Sequence, residues 1–319
     1  MVANAPPNCE PEFLAHVALA AEIRGEFETR VAAATAKVRR KNLGLQHLPE
    51  RLYVELDLTA DYQFDAALYL LTNPHVALAA EQNIRSLLDA IAQFAFVRGL
   101  DSKRPMGTEL QRATCLALSR ARELEEMYQG AVAEKKIGKV SLNRAVKVRK
   151  LYEGMHNTTG CPWQSDPLKW PCRKLRSHPC TKNRPCGHQD NWPCRPRKRS
   201  HVLVSITLEG LERQMWSRKK RLRFLLAQHK VSSLMIHVSL PGKVARDDGH
   251  GHDLRAVATY MERYTMLVRA LNLYGMFLRQ RLMLYKGSDV AGLAAWERGF
   301  YQLPTIKMAE TGSLSTRCP

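Results

Sequence analysis

Asn73-Pro74-His75-Val76-Ala77-Leu78-Ala79-Ala80-Glu81-Gln82-Asn83-Ile84-Arg85-Ser86-Leu87-Leu88-Asp89-Ala90-Ile91-Ala92-Gln93-Phe94-Ala95-Phe96-Val97-Arg98-Gly99 is the stretch on which the fold turns. Ile84, Leu87, Leu88, Ile91, Phe94 and Ala95 recur at threes and fours, the spacing of one helix face. Asparagine followed by proline predicts an N-cap at Asn73 with Pro74 as first helical residue. Gly99 predicts the stop.

The same period extends outward in both directions. Phe13, Val17, Ala20, Ile23, Phe27, Val31 and Val38 predict a helix from Pro11 to about Arg40, ending in a basic run that suits a helix C-terminus. Residues 42–61 are mixed, with Leu52–Leu56 as a short extended piece, and a short helix is expected from Asp61 to Leu71. Downstream, helices are expected over Thr108–Glu134 and, capped by Ser141, over Leu142–Glu153. Helical periodicity resumes over 207–237. A long helix capped by Asp253 runs to Tyr285, with Leu254, Val257, Met261, Tyr264, Val268, Leu271, Leu278 and Leu282 on its stripe. Ser288-Asp289 starts a short last helix.

The expected fold class is therefore all-α, a helical bundle interrupted by a Cys/Pro-rich, basic insert. Its segments are a loose N-terminus (1–10), an N-terminal half-bundle (11–155), the insert (156–200), a C-terminal half-bundle (201–300) and a tail (301–319). A chain of 319 residues can bury a substantial core, and 45% hydrophobic with 25% charged residues is ordinary for a globular protein.

A formal charge of +19 is not ordinary and implies an anionic partner: nucleic acid, an acidic membrane surface or an acidic protein. Met1–Pro7 carries neither a basic n-region nor an apolar core, and no apolar run is long enough to span a bilayer. The expectation is a cytoplasmic protein without membrane insertion, where clustered cysteines favour metal over disulfides.

Five cysteines fall within residues 161–194, four of them in Pro-Cys words: Trp170-Pro171-Cys172, His178-Pro179-Cys180, Arg184-Pro185-Cys186 and Trp192-Pro193-Cys194. Proline at this density forbids a long helix or an inner strand, so a structural zinc is expected to order the segment. The expected ligands are Cys172, Cys180, Cys186 and Cys194, with Cys161, His178 and His188 as alternates. No Cys-x-x-Cys knuckle is present, and the even total of eight cysteines leaves a disulfide framework as the alternative. Cys115 falls in a helical pattern and reads as a small core residue.

The insert is also the basic centre of the chain. Lys169, Arg173, Lys174, Arg176, Lys182, Arg184, Arg195, Arg197, Lys198 and Arg199 can neutralise phosphates, and Trp170 and Trp192 can stack on exposed bases. Single-stranded or structured nucleic acid is favoured over major-groove reading, because the insert offers no recognition helix. The alternative is a basic loop whose tryptophans pack on the bundle. The loop 247–253, rich in Asp, Gly and His, could bind metal but reads first as solvent-facing turns.

Arg85 and Asp89, four apart, border an apolar helix face and can pair; Ser233 and His237 share a stripe on a later helix. The four could meet inside the bundle as a satisfied polar cluster. The words Asn83-Ile84-Arg85-Ser86-Leu87-Leu88-Asp89-Ala90 and Ser233-Leu234-Met235-Ile236-His237-Val238-Ser239 resemble uncharacterised bacterial helical families related to the HEPN superfamily, over residues 60–100 and 205–285. In those families glutamate usually stands where this chain has Asp89, and the insert is foreign to the pattern.

The resemblance implies a place in bacterial defence or regulation, and ribonuclease activity in some members. The ribonuclease motif, Arg, four to six residues, then His, is met by Arg223 and His229 and by Arg40 and His47. Such histidine would act as general base on a ribose hydroxyl, and arginine would stabilise the phosphorane. Candidate catalytic residues are thus Arg85, Asp89, Arg223, His229 and His237. Three functions stay open: a nucleic-acid-binding protein, a HEPN-like ribonuclease, and an interaction module for an acidic protein.

Overall fold

The computed structural model describes residues 9–40, 47–100, 107–134, 138–160, 207–208, 210–211, 258 and 260–284. These are all-α: helices α1 (Cys9–Arg40), α2 (Leu48–Leu71), α3 (Ala80–Arg98), α4 (Glu109–Ala133), α5 (Lys139–Thr159) and α6 (Tyr260–Leu284), with a 3-10 turn at Ala77–Ala79. No strand occurs among the described residues. None of the described helices is long and apolar enough to cross a membrane.

Local sequence explains most helix ends. Thr108 caps α4 by a reciprocal box: its side chain accepts from Gln111 N at 3.2 Å, while Thr108 N donates to Gln111 Oε1 at 2.9 Å. Gly99 ends α3 with φ 73°; Gly99 N donates to Phe96 O and Leu100 N to Ala95 O, the paired bonds of a Schellman stop.

Three expectations are corrected. Leu52–Leu56 is not extended: α2 runs unbroken from Leu48 to Leu71. Pro49 sits in its first turn, where no intrahelical N–H bond is lost. Asn73 does not cap a helix beginning at Pro74. Its side chain accepts from His75 N at 3.0 Å and closes a turn, and the α-helix starts only at Ala80. Ser141 lies inside α5, whose N-cap position is Gly138.

The described helices fall into two compact units. One holds α1, α2 from Val54, α3 as far as Ile91, and α6. Two rows at alternating four and three spacing form its seam: Asp57, Asp61, Phe64, Leu68 and Leu71 on α2, and Arg263, Leu267, Ala270, Tyr274, Phe277 and Arg281 on α6, all buried. Phe64 stacks on Tyr274 with ring centroids 4.0 Å apart. Arg263 bonds Leu71 O while Arg281 bonds Asp61, so α2 and α6 run antiparallel.

The other unit holds α2 up to Tyr53, α3 from Ala92, α4 and α5, with Leu208 and Leu211 buried in it. Gln111 reaches Thr159 O while Arg149 reaches Glu125, which makes α4 and α5 an antiparallel hairpin. Arg112 anchors the α3–α4 turn by donating to Val97 O and Gly107 O. Cys115 is buried in α4, as its helical setting predicts.

Candidate functional site

Of the residues singled out by sequence, Arg85, Asp89, Arg40 and His47 are described: Arg40 is the last residue of α1, and His47 Nδ1 lies 3.8 Å from Glu50 Oε1 just before α2. Arg85 Nε lies 3.1 Å from Asp89 Oδ1, an i,i+4 pair on the partly exposed border of α3. Arg223, His229, Ser233 and His237 lie outside the described residues, as do the expected zinc ligands and every basic and tryptophan residue assigned to the insert. Among the described residues no group of three or more His, Cys, Asp or Glu side chains could hold a metal.

Two other constellations are prominent. The first is buried, in the unit containing α6. Arg281 is fully enclosed and faces three carboxylates: Asp57 Oδ1 at 2.9 Å, Asp61 Oδ1 at 3.0 Å and Glu28 Oε1 at 3.2 Å. Tyr274 Oη donates to Asp61 at 2.7 Å. Arg24 pairs with Asp65 one turn further along α2.

Burial pushes the Asp61 carboxyl up to about 7, against the pull of Arg281 and with the neighbouring Glu28 adding to the rise. Burial acts on Glu28 in the same direction, but its hydrogen bond with Asp61 and the Arg281 charge outweigh that and hold it below the ordinary value. The Tyr274 hydroxyl is pushed well up by burial and by the Asp61 charge. Three carboxylates around one guanidinium leave an excess of negative charge, and a shared proton between Glu28 and Asp61 relieves it. This arrangement ties α1, α2 and α6 together and binds a proton near neutral pH.

A signal for it stands in the sequence. Asp57 and Asp61 occupy the apolar row of α2, and Arg281 ends the apolar row of α6. A charge on an otherwise apolar stripe must find its partner inside the fold.

The second constellation is on the surface, in the unit containing α5. Lys139, Arg144, Lys147 and Lys150 are exposed along α5, with Val140, Asn143 and Leu151 exposed among them. Glu153 is the sole acidic residue of this helix, and it is engaged by Arg149 and by Arg122 at 3.4 Å. None of the four exposed cations pairs with a carboxylate of the described residues. Lys139, Asn143, Lys147 and Lys150 follow one another at helical spacing, so the charge forms a row about 16 Å long at 1.5 Å per residue.

The row continues into a shallow groove of about 530 Å³, lined by Leu110 of α4 and by Lys150, Leu151, Gly154, Met155, Thr158 and Thr159 of α5. Its walls are mostly apolar. Thr158 Oγ1 donates to Gly154 O and Thr159 Oγ1 to Met155 O, so both hydroxyls keep lone pairs to accept from a ligand.

No family model matches the chain, and neither a curated protein nor a solved structure matches it.

Proposed function

We propose that this chain is a nucleic-acid-binding helical protein whose contact surface includes the exposed face of α5. One observation carries the reading: four exposed cations on α5, three of them along one stripe, with no paired acid among the described residues. Solvated surfaces of ordinary proteins mix both signs, whereas a single-sign row of this length is the footprint of a polyanion contact. The chain-wide charge of +19 points the same way.

The Cys/Pro-rich segment beyond α5, residues 161–200, supplies the second half of the proposal. Its thiols at Cys172, Cys180, Cys186 and Cys194 would hold a structural zinc, and its basic residues would extend the phosphate-binding surface. The ribonuclease alternative rests on Arg223, His229 and His237, which lie outside the described residues.

The test is binding of short single-stranded and duplex oligonucleotides at several salt concentrations. Each phosphate contact contributes about 0.7 to the salt slope on a single strand, so four cations account for a slope of about −3. Lys147→Glu combined with Lys150→Glu alters two exposed side chains and should leave the fold intact. The double variant is expected to lose at least tenfold in affinity and to show a shallower salt slope. Unchanged affinity and slope would remove α5 from the interface.

A further inference from the structure

We propose that the groove at the C-terminal end of α5 receives one unstacked base of a single-stranded nucleic acid, with the adjoining phosphates lying along Lys150, Lys147 and Asn143. This rests on the interface reading above and deepens it, by naming the strand form that the site selects.

Gly154 stands in the middle of the groove's α5 wall. A Cβ built there meets no heavy atom within 4 Å, so the missing side chain holds the groove open midway along its α5 wall. Leu110, Leu151 and Met155 provide apolar flanks, and Lys150 stands at the mouth nearest the cation row. A volume of about 530 Å³ accommodates a flat heterocycle with its sugar.

Polarity sets the direction of the strand. Phosphates are attracted to Lys147 and Lys150 and are disfavoured at the last turn of α5, where the helix dipole presents its negative end. Base N–H groups have the opposite preference. They meet the hydroxyl lone pairs of Thr158 and Thr159 at that same end. Phosphate toward the middle of the helix and base toward its end is therefore the orientation in which every charge is matched.

A duplex cannot use the groove, because its bases are paired and stacked. Exposed bases of single strands can enter, and apolar walls accept any of them, so the selectivity is for strand form rather than sequence. Charge complementarity decides the occupant. A wholly apolar peptide would leave Lys147 and Lys150 unmatched, whereas a nucleotide satisfies wall and mouth together.

The test is Gly154→Leu in the full chain, beside the Lys147→Glu, Lys150→Glu double variant. Leucine at 154 fills the groove from open space and replaces glycine with a better helix former, so folding is preserved and is checked by thermal unfolding. The probes are a fluorescent single-stranded oligonucleotide, the same strand made abasic throughout, the matching duplex, and vesicles containing anionic lipid.

Gly154→Leu is expected to weaken the single strand about tenfold and to leave the abasic strand and the duplex unchanged. Equal weakening on the intact and abasic strands would overturn the base pocket, and so would no weakening at all. In either case, a loss in the double variant would leave the interface itself standing. If the double variant binds as wild type does, the interface reading falls first. Vesicle binding that Gly154→Leu abolishes, with single-strand binding untouched, would assign the groove to an acyl chain and also overturn the proposal.

Discussion

Replacing Arg281 with methionine should cost about 3–5 kcal/mol at neutral pH, the loss expected when one partner of a buried ion pair is removed. Methionine is close to arginine in length and fills much of the space, so the experiment isolates charge. Three carboxylates then lose the cation within 3.2 Å of each of them: Asp57, Asp61 and Glu28. Two of those residues, Asp57 and Asp61, are at most 3% exposed. A typical domain has about 5–15 kcal/mol to lose, so the loss is a large share of the total.

The pH dependence gives the sharper reading. Asp61 already has a folded pKa of about 7, raised above its unfolded value by burial. A raised carboxyl favours the folded state fully below the unfolded pKa, and that contribution is lost as pH rises through the folded pKa. Arg281 lowers the Asp61 value, so its removal raises that value further and enlarges the effect. Glu28, now held low by Asp61 and Arg281, should move up as well. The deficit of Arg281→Met relative to wild type should thus be larger at pH 8 than at pH 5. Urea unfolding of both proteins at the two pH values measures it. A deficit below about 1 kcal/mol, or one equal at both pH values, would refute the idea that Arg281 neutralises a buried acidic cluster.

Two further outcomes are expected. Gly99→Ala should destabilise by about 1–2 kcal/mol, because Gly99 has φ 73° and a Cβ strains that region, while Gly130→Ala inside α4 should stabilise by up to about 1 kcal/mol; thermal unfolding of the pair, with opposite signs, checks it. Protein purified under reducing conditions should carry about one zinc per chain and lose it on Cys180→Ser, read by metal analysis; wild-type protein free of zinc would end that part of the proposal.

How much of this was legible in the sequence differs by element. Helix α3 was readable from its apolar face, Ile84 to Ala95, and its stop at Gly99, and α4 from the helical pattern over Thr108–Glu134. The first half of α2 was not. Tyr53 and Val54 favour extended backbone, and Pro49 reads as a break, yet Leu52, Tyr53, Leu56 and Ala60 are all buried on helical spacing. Burial of that face outweighed local preference. Asn73 misled because asparagine before proline serves a turn as readily as a helix start. The Cys/Pro-rich segment, most of the C-terminal candidates and the HEPN-like likeness between the two halves draw no support from the described residues, since their words fall largely outside them.

The polar core shows why a site can be present in a sequence and still go unread. Arg85 and Asp89 drew notice because their pairing is local, four residues apart on one helix. The tighter cluster joins Asp57 and Asp61 to an arginine 220 residues away from Asp61, and no window of sequence contains both. Each half, though, breaks the same rule. On α2 a four-three row opens with two aspartates before turning to Phe64, Leu68 and Leu71; on α6 a four-three row opens and closes with arginine around Leu267, Ala270, Tyr274 and Phe277. Acid at one end of the α2 row and arginine at both ends of the α6 row specify that the two rows are partners. Antiparallel packing brings Arg281 to Asp57 and Asp61 and carries Arg263 to the far end of α2, where it donates to Leu71 O. Parallel packing of the same two rows would set Arg263 beside Asp57 and Asp61 and carry Arg281 to the Leu71 end, where Glu10 now holds Arg263 at 2.7 Å, so either direction offers both arginines an acid. The charges therefore act as a pairing signal for the two rows, and Asp57→Leu with Asp61→Leu and Arg281→Leu should keep the core apolar while weakening that choice. Retention of one well-dispersed NMR spectrum by the triple-leucine chain would show that apolar packing alone pairs the rows.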